Sequence, residues 1–407
     1  MKEFGLIGRP LKHSYSKKIH AYLGEYHYDL YEIQPDTLKD FITNSSLNGF
    51  NVTIPYKKDV MAYLDNIDER AQKIGAVNTV VVKDGLKTGY NTDFDGMVYM
   101  LSRAKISLLD KTVLIMGSGG TSNTARAVCE YLGAKEIKIV SRSGEVNYGN
   151  YEKIAPSIEV IINTTPLGTY PDNYSCKIDL NKFPKLMGVA DVVYNPSLTK
   201  LLYQAKKLGV RYTNGLPMLV AQAKYAKDLF LGEKSGDAVI EDIISVLEKE
   251  KKNIVLIGMP GCGKTSVGVA LSKELNREFI DIDQEIVKKD GRDIPTIFSE
   301  SGEEYFRKLE SEVLKEVGVL TGKIIATGGG VVKNADNYFP LKQNGIIVWI
   351  DREIEKLATN GRPLSKDLCA VKKLYRERKE LYESFADIKI KNDGSILDAV
   401  NEVNKHL

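Results

Sequence analysis

Short apolar runs separated by polar clusters alternate along this chain with stretches whose apolar positions recur every three or four residues. The runs Phe4 to Ile7, Tyr28 to Ile33, Gly49 to Thr53 and Val77 to Val82 have strand character, and Lys17 to Leu23 and Thr37 to Ile42 have helical period. The alternation predicts an open α/β sheet over residues 1 to about 100. At Thr112 the pattern becomes TVLIMGSGGTSNTARAV: a buried strand, a glycine turn and a helix to about Leu132. A second strand, Glu136 to Val140, completes a βαβ unit. Further strands are predicted at Val160 to Ile162 and Gly188 to Val193, and a helix at Met218 to Leu231 leads back toward the first half. Gly236 to Asn253, with the charged run EKEKKN, reads as a final helix and a linker, either mobile or rigid.

A further α/β series begins at Ile254. Its strands are expected at Ile254 to Ile257, at 278–283 with Asp281 and Asp283 on one face, at Ile324 to Ala326 and at Ile346 to Ile350. Helices are expected at Val267 to Leu275, Glu303 to Val317 and Val371 to Tyr382. No internal repeat appears.

The stretch IVLIGMPGCGKTS, Ile254 to Ser266, carries the most specific chemistry. Gly258, Gly263, Lys264 and Thr265 satisfy G-x-x-x-x-G-K-[ST] between a strand and a helix, the arrangement in which backbone N–H groups wrap phosphates. Pro260, Gly261, Cys262 and Ser266 complete the candidate nucleotide loop. Lys264 would reach the β/γ oxygens, and Thr265 could hold Mg²⁺. No N-K-x-D motif follows, and later strands run into Thr327-Gly328-Gly329-Gly330 and Asp351-Arg352. The acidic pair Asp281 and Asp283 is therefore the better Mg²⁺ candidate, and a small-molecule kinase of nucleoside-monophosphate-kinase type is the expectation. Arg362, in Asn360-Gly361-Arg362-Pro363-Leu364, would be a lid arginine neutralising transferred charge. If Asp283 accepts a hydroxyl proton while Arg307 and Arg378 grip an anion, the acceptor is a hydroxylated carboxylic acid. Arg307 could equally pair with Glu303 or Glu310 on its own helix.

In the first half, Gly117 and Gly119 match the opening of G-x-G-x-x-G/A, with Ser122 in the third position and Ser118, Gly120 and Thr121 in the turn. About 20 residues on, where an acidic residue would select NAD, stand Ser141 and Arg142. A guanidinium there suits the 2′-phosphate of NADP, although Glu145 follows and a plain surface arginine is the alternative. Polar clusters stand where strands would end: His13-Ser14-Tyr15-Ser16, Asn51 to Lys57, Gly75 to Thr79, Asn91-Thr92-Asp93, Asn163 to Gly168 and Tyr194-Asn195-Pro196. Lys57 directed by Asp93 could protonate a carbonyl oxygen during hydride transfer. Taken alone, the two could also be a surface ion pair.

At 407 residues the chain is long enough for two or three domains, and a net charge of +3 with no basic block interleaved with aromatics leaves no nucleic-acid footprint. No apolar run is long enough to span a bilayer, and the amino terminus has no signal-peptide pattern. The four cysteines are scattered and form no C-x-x-C, which argues against zinc and for a cytoplasmic protein.

Residues 252 to 407 resemble shikimate kinase through the phosphate loop, F-I-D-I-D, the E-x-x-F-R-x-x-E from Glu303 to Glu310, the triple glycine, G-R-P-L at Gly361 to Leu364, and R-x-x-L-Y at Arg378 to Tyr382. The resemblance implies that Asp283, Arg307, Gly329 and Arg378 bind shikimate, that Thr265 and Asp281 serve Mg²⁺, and that Arg362 is the lid arginine. Residues 1 to about 245 resemble shikimate dehydrogenase through Gly8-Arg9-Pro10 with Ser14 and Ser16, N-V-T-I-P-Y-K, G-A-V-N-T, N-T-D-F-D-G and G-L-P-M-L-V-A-Q. That resemblance implies substrate contacts from Ser14, Ser16, Thr53, Asn78, Asp93, Tyr194 and Gln222, with Lys57 as acid/base. The family's usual Asn-Arg-Thr stands here as Ser141-Arg142-Ser143, without a second basic residue nearby. The expected organisation is a substrate domain at 1–100 with a return helix at about 218–245, a Rossmann NADP domain at 101–235, a connecting segment at 236–252, and a P-loop kinase domain at 253–407. The implied enzyme reduces 3-dehydroshikimate with NADPH and phosphorylates shikimate with MgATP, as a monomer or homodimer. Rival readings are a quinate or NAD-using dehydrogenase, a kinase for another hydroxy acid, and a half that only binds.

Overall fold

Three sheets organise the chain, and the apolar runs of the sequence are their strands. The structure, a computed structural model, describes residues 2–11, 14–357 and 368–407. These fall into two units, Met1–Ser245 and Val246–Leu407. In the first unit β1 (Glu3–Gly8), β2 (His27–Glu32), β3 (Gly49–Val52), β4 (Asn66–Ile67), β5 (Thr79–Lys83) and β6 (Leu86–Tyr90) form a sheet of order β2-β1-β3-β5-β6-β4. β1, β2 and β3 are parallel, whereas β5 runs antiparallel to both β3 and β6. Because Thr79 pairs with Asn51 on one side and Tyr90 on the other, the start of β5 lies beside the ends of β3 and β6. The polar clusters at 51–57, 75–79 and 91–93 thereby meet at one edge. Val77, expected to open a strand, instead donates its N–H to the Lys57 carbonyl at 2.8 Å and ties two of those clusters together.

The second sheet of this unit is wholly parallel. It consists of β7 (Thr112–Met116), β8 (Glu136–Val140), β9 (Val160–Asn163), β10 (Gly188–Asp191) and β11 (Arg211–Thr213) in the order β11-β10-β9-β7-β8. Every residue of TVLIM and VIIN is buried, as strands covered by helices on both faces require. The return helix, Leu216–Leu231, stacks Phe230 on Phe4 of β1 at 4.6 Å and packs along the helix Thr92–Arg103. Gly96 makes that packing possible: a Cβ there would lie 2.7 Å from the Met218 carbonyl and 3.0 Å from the Gln222 Cβ.

The second unit is built on β12 (Asn253–Ile257), β13 (Phe279–Asp281), β14 (Ile324–Ala326), β15 (Gly345–Asp351) and β16 (Ile388–Lys391), all parallel, in the order β13-β14-β12-β15-β16. Its core includes Trp349 and Tyr382, stacked at 5.8 Å and fully enclosed. Two expectations change here. The strand over 278–283 stops at Asp281, because that carboxylate accepts the Asp283 N–H at 3.0 Å and caps the helix Ile282–Asp290, so Asp281 and Asp283 do not share a strand face. Of the EKEKKN run, Glu248 to Lys251 end a helix, Ala238–Lys251, and Asn253 opens β12, so only Lys252 of that run lies outside an element. The helix expected from Glu303 is the latter part of Ile294–Val317, interrupted at Gly302 with φ 80°. Among the described residues no helix is long and apolar enough to cross a membrane.

Gly96→Val should destabilise the first unit by roughly 1–3 kcal/mol through overpacking against backbone. Thermal unfolding followed by circular dichroism should show that loss. The fluorescence transition of Trp349, the sole tryptophan, belongs to the other unit and should not move.

Candidate active sites

The edge where the clusters of the first sheet meet borders a cavity of about 730 Å³. Ser14, Ser16, Thr53, Lys57, Asn78, Asp93, Tyr194 and Gln222 all line it, together with Gly120 and Thr121 of the glycine turn. The Lys57 ammonium donates to Asp93 Oδ2 at 2.6 Å with both side chains largely enclosed, so the pair belongs to the cavity and not to the outer surface. Asp93 is held by its neighbours in the chain. Asn91 Oδ1 accepts the Phe94 N–H at 3.2 Å and its amide donates to the Ala76 carbonyl at 2.9 Å, while the Thr92 N–H donates to Asn78 Oδ1 at 2.7 Å. Behind them Asn51, which also lines the cavity, accepts from the Tyr28 hydroxyl at 2.7 Å and donates to Thr79 Oγ1 at 3.0 Å. Ser14 Oγ accepts the Ser16 N–H at 3.2 Å. Tyr15 and Tyr194 meet edge to face at 5.8 Å, and burial pushes the Tyr194 phenol up.

The glycine turn follows β7, and the Ser141-Arg142 pair follows the neighbouring strand β8. Gly117 N–H donates to the Val140 carbonyl at 2.8 Å, which joins the two loops at their base. Ser118, Gly119 and Arg142 are exposed. Ser122, in the third-glycine position, donates its hydroxyl to the Gly117 carbonyl at 2.8 Å and so closes the turn that a glycine would leave open. At the end of β10 sits Asp191, a residue the sequence reading passed over because it closes the apolar run GVAD without a motif. It accepts from Thr199 Oγ1 at 2.7 Å, the Val193 N–H at 3.0 Å and the Asn163 amide at 2.9 Å, joining the loops after β9 and β10. Burial raises its carboxyl to about 7.

In the second unit a cavity of about 970 Å³ opens at the carboxyl ends of the strands. Pro260, Gly261, Gly263, Lys264, Thr265 and Ser266 form its floor, with Gly258 and the buried Cys262 beneath. Gly263 has φ 96°, a conformation that favours glycine. Lys264 Nζ donates to the Gly258 and Met259 carbonyls at 2.9 and 3.0 Å. Thr265 Oγ1 lies 3.0 Å from Asp281 Oδ2. One hydroxyl and one carboxylate fit Mg²⁺, which keeps waters and binds phosphates and has no need of an all-protein cage. Consistently, among the described residues no group of three or more His, Cys, Asp or Glu could hold a metal.

Asp283, Arg307, Gly329 and Arg378 line the same cavity. Arg378 Nη1 donates to the Gly329 carbonyl at 2.9 Å. Arg307 faces the cavity and also bonds Glu310 at 2.8 Å and Glu303 at 3.3 Å on its own helix, the pairing the spacing allowed. It passes so close to Gly330 that a Cβ there would lie 2.2 Å from Nη2. Glu310 is fully buried, and burial pushes its carboxyl up against the pull of Arg307. The i,i+3 spacing from Arg307 was the available signal for it. Arg352 also lines the cavity and was noted only as the end of a strand. Arg362 and the stretch around it lie outside the described residues.

Comparison with known proteins matches both units. The family model described as shikimate kinase matches residues 260–407, and that described as shikimate dehydrogenase substrate binding domain matches residues 6–80. The chain is 38% identical over 272 residues to a shikimate dehydrogenase (NADP(+)) of Clostridium perfringens, covering 61% of this chain and 99% of that relative. It is similar to the crystal structure of a chorismate mutase/shikimate 5-dehydrogenase fusion protein from Clostridium acetobutylicum, with TM-score 0.58 and 34% identity over 61% of this chain and 97% of that one. It is also similar to shikimate 5-dehydrogenase from Thermus thermophilus in complex with NADP(H) and shikimate, with TM-score 0.56 and 27% identity over 60% of this chain and 99% of that one.

The buried Asp191 sets a pH dependence. Its folded value of about 7 lies above the unfolded value of about 3.9, so the folded state binds the extra proton. The resulting stabilisation is full below the lower value and is lost as pH rises through the higher one. Wild type should therefore lose stability relative to Asp191→Asn between pH 5 and pH 8, as read from unfolding midpoints; a constant difference would contradict the assignment.

Proposed function

The chain belongs to the shikimate dehydrogenase family and carries a shikimate kinase domain behind it, and from that premise we propose how its residues share two consecutive reactions. The enzyme is bifunctional: it reduces 3-dehydroshikimate to shikimate with NADPH and phosphorylates shikimate to shikimate 3-phosphate with ATP. We assign residues 1–100 and the return helix to binding the ring acid, 101–235 to NADP, 236–252 to the connection and 253–407 to the kinase. The observation that carries the division is that each unit has its own cavity, one bordered by the Lys57–Asp93 pair and one by the phosphate loop.

In the first cavity Ser14 and Ser16 receive the carboxylate of the ring acid, and Thr53, Asn78, Asp93, Tyr194 and Gln222 receive its hydroxyls. NADPH, held by the turn from Gly117 to Thr121 and by Ser141 and Arg142, supplies hydride when bound. Lys57, directed by Asp93 at 2.6 Å, gives the proton to the carbonyl oxygen, so a neutral alcohol leaves the site. That same oxygen is the nucleophile in the second reaction. There Arg307 and Arg378 hold the carboxylate, Gly329 gives backbone contact, and Asp283 takes the hydroxyl proton. Lys264 would bind the phosphates, Thr265 and Asp281 would hold Mg²⁺, which would neutralise phosphate charge, and Arg362 would neutralise charge on the transferred group. A cytoplasmic location belongs to the same reading, supported by the four free cysteines, Cys129, Cys176, Cys262 and Cys369.

The purified chain given 3-dehydroshikimate, NADPH and MgATP should release shikimate 3-phosphate. Lys57→Ala should reduce NADPH oxidation by about 10²–10⁴-fold while kinase turnover is retained, and Lys264→Ala should do the reverse. Loss of both activities in either folded variant would defeat the division of labour. Arg142→Ala should raise the KM for NADPH about tenfold and leave that for NADH unchanged, because only the former carries the 2′-phosphate.

A further inference from the structure

We propose that Arg352 is a nucleotide-binding residue of the kinase site, holding a phosphate of the nucleoside triphosphate beside Gly263; the inference rests on the kinase reading above. Arg352 follows β15, which pairs in register with β12, the strand that opens the phosphate loop. The ends of the two strands are in close contact, since a Cβ on Gly258 would lie 2.4 Å from the Ile350 carbonyl. Arg352 lines the cavity with Gly261, Gly263, Lys264 and Thr265, and its Nη1 lies 4.0 Å from the position of a Cβ on Gly263. On the same side Asn392 donates to the Cys262 carbonyl at 2.7 Å and steadies the loop against β16.

The charge around Arg352 is already distributed elsewhere. Asp351 pairs with Lys389 at 3.0 Å and Glu353 with Lys356 at 2.8 Å, so neither neighbouring carboxylate is given to Arg352. Among the described residues Arg352 makes no ion pair, and its Nε is buried without a hydrogen-bond partner. A buried guanidinium donor left unbonded costs free energy that an anion would recover. The other arginines lining this cavity each have a protein acceptor: Arg307 is held by Glu303 and Glu310, and Arg378, whose Nε is likewise unbonded, donates its Nη1 to the Gly329 carbonyl. Among the described residues Arg352 is thus the arginine of this cavity that bonds no protein acceptor, and the guanidinium fork matches phosphate oxygens in geometry as well as charge.

The test is calorimetric titration of the full-length chain with MgADP and, separately, with shikimate, for wild type, Arg352→Met and Arg352→Lys. The Met variant should bind MgADP about tenfold or more weakly, with Lys restoring part of the loss, as expected when a charge-assisted bond is removed and then replaced by a point charge. Its shikimate affinity, its NADPH-dependent turnover and the unfolding midpoint reported by Trp349 should match wild type. Binding of MgADP by the Met variant within about twofold of wild type would overturn the assignment, since so small a change is under half a kcal/mol. An equal loss of shikimate affinity, or a lowered Trp349 midpoint, would also overturn it by pointing to a structural role. Failure of wild type to bind MgADP would instead bring down the kinase reading, and the role of Arg352 with it.

Discussion

Strands buried on both faces have no side chain to spare for chemistry, and this constraint places both sites of the molecule. TVLIM, VIIN and NIVLI are covered on every residue, so the polar groups that meet a ligand must stand where the backbone leaves a sheet. In the second unit this puts the phosphate loop after β12, Asp281 at the end of β13, the triple glycine after β14 and Arg352 after β15 on one rim. In the first unit the mixed sheet reaches the same result by another route, bringing the start of β5 beside the ends of β3 and β6. The antiparallel strand is what lets Asn78 sit next to Lys57 and Asp93.

Close approach then sets the distances. Gly96 lets the helix carrying Asp93 lie against the helix carrying Gln222, and Gly330 lets the Arg307 guanidinium pass over the loop after β14. Neither contact would tolerate even a methyl group without a shift in its surroundings. Behind the reactive side chains stands a second set that touches no substrate directly by any reading here: Asn91, Thr92, Thr79 and Tyr28 in the first unit and Glu310 in the second. Tyr28 and Thr79 bond Asn51, Thr79 and Thr92 bond each other, Asn91 bonds the Ala76 carbonyl and the Phe94 N–H, and Glu310 Oε2 accepts from the Arg307 guanidinium, which together keep Lys57, Asp93 and Arg307 where they are.

Much of this was legible before any coordinates. Motifs that are contiguous, such as G-x-x-x-x-G-K-[ST] and N-V-T-I-P-Y-K, announce their loops because a local backbone shape demands particular residues at particular spacings. The long apolar runs likewise announced the parallel strands. What escaped was set by pairings distant in the chain or by local capping. Asp283 was placed on a strand because period-two spacing could not reveal that Asp281 would cap a helix in between. The Lys57–Asp93 pair was ambiguous because 36 positions separate its members. Arg352 and Asp191 were silent because nothing in their neighbours' identities says what the folded chain brings against them.

The two sites are made on one ribosome as one product, so they occur in a strict one-to-one ratio in every cell that makes the chain. Separate enzymes can be balanced by how much of each is synthesised; here abundance is a single variable. Any mismatch between supply of the ring acid and its consumption has to be corrected through turnover and affinity, which places the adjustment of flux in the side chains themselves.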